Sequence, residues 1–164
     1  MKKNKPLAGL TLALAFAILF AASCKKSNDS NNNNYTGISA TLGTQAFQST
    51  YLLGQFNQNT LQLNGFQVKS GGDTSVIYVG ILSSIKINQP DPLSNSEVWY
   101  GKHDGTIYTS GSLFGGHGTL TVTSWDTAGK KITGTFNGIF YNTHNSMDSM
   151  TVTNGHFNTS YTVY

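Results

Sequence analysis

The chain has 164 residues, with ten lysines against seven acidic residues, no arginine and one cysteine, a length that suits a single domain. Three of the lysines (Lys2, Lys3, Lys5) belong to an N-terminal segment that reads as an export signal; without it lysines and acids balance at seven each. A balanced chain lacks the basic field that nucleic acid requires, and a lone thiol excludes an internal disulfide framework.

Met1 to Pro6 is basic, Leu7 to Ala22 is an almost unbroken apolar run of 16 residues, and Ala21-Ala22-Ser23 closes it with small side chains. The run is short of the roughly 20 residues that a membrane-crossing helix needs, so it reads as a removable signal rather than an anchor. Ala21-x-Ser23 also suits ordinary signal cleavage, but Cys24, the only sulfur nucleophile, follows directly, as in a lipobox with Ala rather than Leu three positions upstream. Residues 1–23 are therefore expected to be a lipoprotein signal peptide and Cys24 the lipidated mature terminus. Two or three acyl chains on one residue hold a protein to a bilayer far more firmly than one chain does. Residues 24–34 then form a tether, because Lys25 to Asn34 (KKSNDSNNNN) has no apolar side chain with which to repay the entropy of ordering.

Residues 35–164 carry three alanines, one glutamate (Glu97) and seventeen aromatics, a composition poor in helix formers and suited to pleated, half-buried surfaces. In chain order, strands are expected over Ile38 to Leu42, Ala46 to Leu53, Thr60 to Val68, Ser75 to Leu82, Ser84 to Asn88, Glu97 to Tyr100 and Thr106 to Thr109. The series continues with Thr119 to Trp125, Lys131 to Tyr141, Met150 to Thr153 and His156 to Val163. Turn signals separate most of them, among them Gly71-Gly72-Asp73, Pro90-Asp91-Pro92, Asp104-Gly105, Gly115-Gly116 and Ala128-Gly129. Asn64-Gly65 and Asn154-Gly155 fall inside apolar-rich runs, where each reads as a hairpin turn or a bulge. About nine to eleven strands with short turns imply an all-β fold, a single antiparallel β-sandwich or partly open β-barrel.

The C-terminal part, Gly118-Thr-Leu-Thr-Val-Thr, then Ile132-Thr-Gly-Thr-Phe136 and Val152-Thr-Asn-Gly-His-Phe157, together with Ser23-Cys24-Lys25-Lys26, resembles small Bacteroidota outer-membrane lipoproteins of uncharacterised function. The resemblance spans roughly residues 36 to 160 and is specific over about the last fifty. It implies attachment to the outer membrane and a β-sandwich or barrel-like domain, and it implies no activity. The O-glycosylation tripeptide of that phylum (Asp, Ser or Thr, apolar) is matched at Asp126-Thr127-Ala128 and Asp148-Ser149-Met150, which makes Thr127 and Ser149 candidate modified residues.

Chemistry-bearing patterns are sparse. His103, His117, His144 and His156 match no short metal motif, and Gly115-Gly116-His117-Gly118 precedes a strand rather than the helix a phosphate cradle needs. No nucleophile elbow is present, so the chain is not expected to be an enzyme, to hold a metal or to need a cofactor. The positive signal is aromatic: Trp99-Tyr100 near His103, and Trp125 at a strand end, offer flat rings beside hydrogen-bonding groups, the usual means of stacking on a sugar. Trp99, Tyr100, His103 and Trp125 are the candidate ligand-binding residues. The expected role is a noncatalytic, membrane-anchored envelope module binding a glycan or an envelope protein. A structural or assembly component, a carrier of haem or another small apolar ligand, and a glycan-active enzyme are the alternatives.

Overall fold

Alternating core-seeking and water-seeking side chains become twelve strands in the computed structural model, which describes residues 35–164. The expected signal peptide, the Cys24 lipidation site and the 24–34 tether lie outside the described residues. The strands are β1 (Gly37–Leu42), β2 (Gln45–Gln48), β3 (Tyr51–Asn57), β4 (Thr60–Val68), β5 (Thr74–Leu82) and β6 (Asp91–Pro92). They continue as β7 (Glu97–Gly101), β8 (Ile107–Thr109), β9 (His117–Asp126), β10 (Lys131–Asn142), β11 (Asn145–Ser160) and β12 (Thr162–Val163). The described residues contain no α-helix, only a 3-10 turn at Ser112–Phe114.

The strands form one sheet in the order β12-β3-β4-β5-β7-β8-β10-β11-β1-β2, with β9 on the same side of β10 as β8 and β6 on the outside of β9. The sheet is open, since its two ends, β12 and β2, are not bonded to each other. All pairings are antiparallel except β12 with β3, where Thr162 and Val163 run parallel to Gln55 and Phe56. One face is rolled around a single core that includes Ile38, Leu61, Leu63, Ile77, Val79, Val98, Leu120, Val122, Ile132, Phe136, Phe140, Val152 and Phe157. Side chains meet across it: Phe47 of β2 packs edge-on against Tyr100 of β7, and Phe56 of β3 against Trp125 of β9.

Twelve strands exceed the nine to eleven expected in part because of two-residue pieces that cover other strands' edges: β6 has no periodicity to read, and β12 is the end of the expected strand His156 to Val163, which breaks at Tyr161. Three further differences have local causes. The run Ala46 to Leu53 changes partner at Ser49-Thr50: Ser49 N–H donates to Ile38 O of β1 at 2.9 Å, and Thr50 N–H to Phe66 O of β4 at 2.7 Å. Gly65 makes that corner possible, because a Cβ there would lie 2.9 Å from Ile38 Cβ and 3.1 Å from Ser49 Cβ. Asn64-Gly65 is thus neither turn nor bulge but uninterrupted strand. Asn154-Gly155 is a bulge: β11 gains a residue against both β10 and β1 there, and Asn154 takes φ 51°. The two expected strands flanking it are consequently one, β11. Ser84 to Asn88 is not a strand; it begins a loop that runs antiparallel along β9, donating Asn88 N–H to Val122 O at 2.8 Å and placing Leu93 in the core.

Candidate ligand-binding face

Because side chains alternate along a strand, each core residue has a neighbour that points to the other face of the sheet. On β3, β4, β5, β7 and β8 that other face is unusually apolar. The register sets Tyr51 opposite Phe66, Phe66 opposite Val76, Val76 opposite Gly101 and Gly101 opposite Ile107. The next row along the strands is Leu53, Asn64, Tyr78, Trp99 and Thr109, and the third is Gln55, Gln62, Gly80 and Glu97. Tyr51 is 58% exposed, Leu53 40%, Val68 51% and Ile107 37%. Large apolar side chains gathered on one sheet face, bordered by amides, mark an interaction surface more often than scattered exposed ones do.

Two aromatic pairs organise the face. Tyr78 and Trp99 are directly opposed, with centroids 5.3 Å apart and planes within 13° of parallel. Glycine two residues on from each lets the rings lie down. The requirement is strict at Gly80, where a Cβ would sit 2.8 Å from the Tyr78 hydroxyl oxygen; at Gly101 a Cβ would stand in ordinary contact with the Trp99 ring, at 3.4 Å. Tyr51 and Phe66 form the second pair, 6.1 Å apart and tilted by 34°. Burial pushes the Tyr78 phenol above its usual value and the Glu97 carboxylate pushes it further, so the hydroxyl stays a neutral donor and acceptor at physiological pH.

The four candidate residues read from the sequence do not converge. Trp99 lies half-buried on this outer face. Tyr100, the next residue, points the opposite way and is buried against Phe47. Trp125 packs edge-on against Phe56 and Tyr161 and donates its Nε1–H to the Tyr161 hydroxyl at 3.0 Å, which closes one end of the core. His103 is exposed in the turn between β7 and β8, where Asp104 accepts a hydrogen bond from Thr106 N–H. Tyr51, Phe66 and Tyr78 were the residues sequence reasoning passed over. The signal that finds them is parity: each alternates with positions on the core side of its strand, Leu52, Gly65, and Ile77 with Val79.

Of the modification candidates, Thr127 is exposed in the turn between β9 and β10, and Ser149 is exposed on β11 opposite Tyr141. The histidines are spread out. His103 and His144 lie in turns, His117 opens β9, and His156 sits half-buried on β11. Among the described residues no three His, Cys, Asp or Glu side chains stand close enough to share a metal ion. A groove of about 530 Å³ lies under the loop after β5, but its carboxylate, Asp91, is already bonded to Asn95 and Ser96. Comparison with family models, curated proteins and solved structures gives no match.

A polar cluster ties the β7–β8 turn to the β10–β11 hairpin and sets a pH dependence. The Tyr108 hydroxyl donates to Asp148 at 2.7 Å, Asn142 donates to the same oxygen at 3.0 Å, and Lys102 reaches Tyr108 at 3.2 Å while lying over its ring. Hydrogen bonds from Asn142, then Tyr108, hold the Asp148 carboxyl below its usual value. The bond to Asp148 raises the Tyr108 phenol, and the bond to Tyr108 raises the Lys102 ammonium. Separately, burial lowers the His156 imidazole. A lowered folded value means stability that is present above the unfolded value and lost as pH falls through the folded one; a raised value means loss as pH rises. Thermal melts should therefore show a plateau, with a first decline below pH 6.5 from His156, a second below about 4 from Asp148, and an alkaline decline above about 10. Replacing His156 with Gln should remove the first decline only; an unchanged acid limb would refute the assignment.

Proposed function

We propose that this chain is a noncatalytic lipoprotein, held to the outer membrane through Cys24, whose β domain binds a glycan on the outer face of β3, β4, β5 and β7. The observation that carries the reading is the Tyr78–Trp99 pair, two nearly parallel rings laid over glycines and bordered by the amides of Gln62 and Asn64. A sugar ring presents C–H groups to such a surface while its hydroxyls reach the polar rim, so contact is gained with little ordering of flexible side chains. The noncatalytic part is supported by the carboxylates. Asp91, Asp104, Asp126 and Asp148 each accept hydrogen bonds from protein neighbours, most of them in their own turns, as turn-holding groups do.

The test is a glycan-array screen of the detergent-solubilised protein, followed by titration of the Trp99→Ala variant against whatever binds. The substitution lies outside the core, so the expected result is a folded protein with affinity lowered about tenfold or more, matching the loss of a stacking surface. Absence of any polysaccharide signal, or affinity unmoved by Trp99→Ala, would overturn the reading.

A further inference from the structure

Two features of the outer face narrow the kind of sugar it suits. The first is spacing. The Tyr51–Phe66 pair bridges β3 and β4, and the Tyr78–Trp99 pair bridges β5 and β7 one row further along. With strands about 4.8 Å apart and residues rising about 3.3 Å each, the pairs lie about 12 Å apart, diagonally across the strands. That exceeds one hexose ring. Asn64 and Val76 fill the interval, and Asn64 is directly opposite Tyr78.

The second feature is charge. In the three rows from β3 to β8 the only carboxylate or ammonium group is Glu97; the other polar groups are the amides of Gln55, Gln62 and Asn64, the Thr109 hydroxyl and the phenols of Tyr51 and Tyr78. A polyanion laid here would find no cation and one like charge, while an uncharged polyhydroxyl chain would find donors and acceptors and no ion to desolvate.

Resting on the glycan reading above, we infer that the ligand is an uncharged, extended polysaccharide that crosses β3, β4, β5 and β7 obliquely. It stacks one sugar on Tyr51–Phe66 and another on Tyr78–Trp99, with Asn64 bonding to hydroxyls between them. A chain long enough to reach both stations gains the second contact without paying again for lost translational freedom, so affinity should climb with length and then level off.

The experiment titrates the detergent-solubilised protein with an unbranched neutral β-glucan in graded chain lengths and with alginate as an extended polyanion. Expected are affinity that rises with neutral chain length to a plateau, no binding of alginate, and about tenfold loss for Trp99→Ala and for Tyr51→Ala on the long chain. Trp99→Phe and Tyr51→Phe, which keep a ring, should retain most of the affinity, which separates lost stacking from lost folding. Trp99-dependent binding of alginate in place of the neutral chain would overturn this inference and leave the glycan reading standing. So would neutral-chain binding that ignores length or Tyr51. Failure to bind any sugar, or self-association abolished by Trp99→Ala, would overturn both, the latter assigning the face to a second copy of the chain.

Discussion

Replacing Phe157 with Ala is expected to destabilise the β domain by about 3–5 kcal/mol, a large share of the roughly 5–15 kcal/mol that holds a typical domain together. Phe157 is fully buried on β11, between Ile38 of β1 and Gly134 of β10. Its ring occupies the space that a Gly134 side chain would otherwise fill, and a Cβ at Gly134 would also come within 2.5 Å of Thr121 O on β9. The ring and the glycine are therefore a matched pair, and Gly134 has no side chain with which to fill the cavity that truncation leaves. Urea or thermal denaturation should register the change, with Tm lower by roughly 10–20 °C. Phe114→Ala, on a side chain 41% exposed, is the control and should stay within about 0.5 kcal/mol. A Phe157→Ala loss under about 1 kcal/mol would show that the core is not closed around this residue.

The second large effect concerns attachment. Cys24→Ser should move the protein from the membrane pellet to the soluble fraction, because the anchor proposed for this chain is the acylated sulfur alone. Each buried methylene contributes about 0.8 kcal/mol, so losing the acyl chains changes partitioning by many orders of magnitude rather than by degree. The serine variant can lose the apolar run of Leu7 to Ala22 only by ordinary cleavage after Ala21-x-Ser23, and the cleaved and uncleaved forms separate on a gel by mass. A Cys24→Ser protein that stays in the pellet after alkaline washing would show that something other than a lipid holds it.

Most of the architecture was legible from alternation. Thr60 to Val68 coincides with β4, and the expected strands around Ile38, Ser75, Glu97 and Lys131 match β1, β5, β7 and β10 within a residue or two. What the alternation could not announce were features decided by distant parts of the chain. The corner at Ser49-Thr50 exists because two different strands, β1 and β4, claim the two halves of one extended run. Asn154-Gly155 looks like a hairpin turn locally, yet β1 and β10 on either side hold β11 extended through it. The hairpin at Gln58-Asn59, where Gln58 takes φ 54°, carries none of the glycine signals that mark turns.

The candidate site was half legible for the same reason. Tryptophan stands out in a sequence, so Trp99 and Trp125 draw notice together, but the strand ladders separate them: Trp99 follows Val98 outward, whereas a bulge in β9 between Val122 and Ser124 reverses the alternation and turns Trp125 in toward Phe56 and Tyr161. Tyr78 is invisible as a partner of Trp99 until the β5–β7 register places them opposite each other, a pairing of residues 21 positions apart.

That strict alternation has an evolutionary corollary. Ile77 and Val79 can stay fixed while Tyr78 changes, and Val98 can stay while Trp99 changes. A lineage can therefore alter what this surface recognises by point substitution without touching the scaffold. Insertion of a single residue within β5 would instead exchange inner for outer positions along the rest of that strand, forfeiting core and recognition together. Such proteins should diversify by replacement on this surface and confine their length variation to the turns.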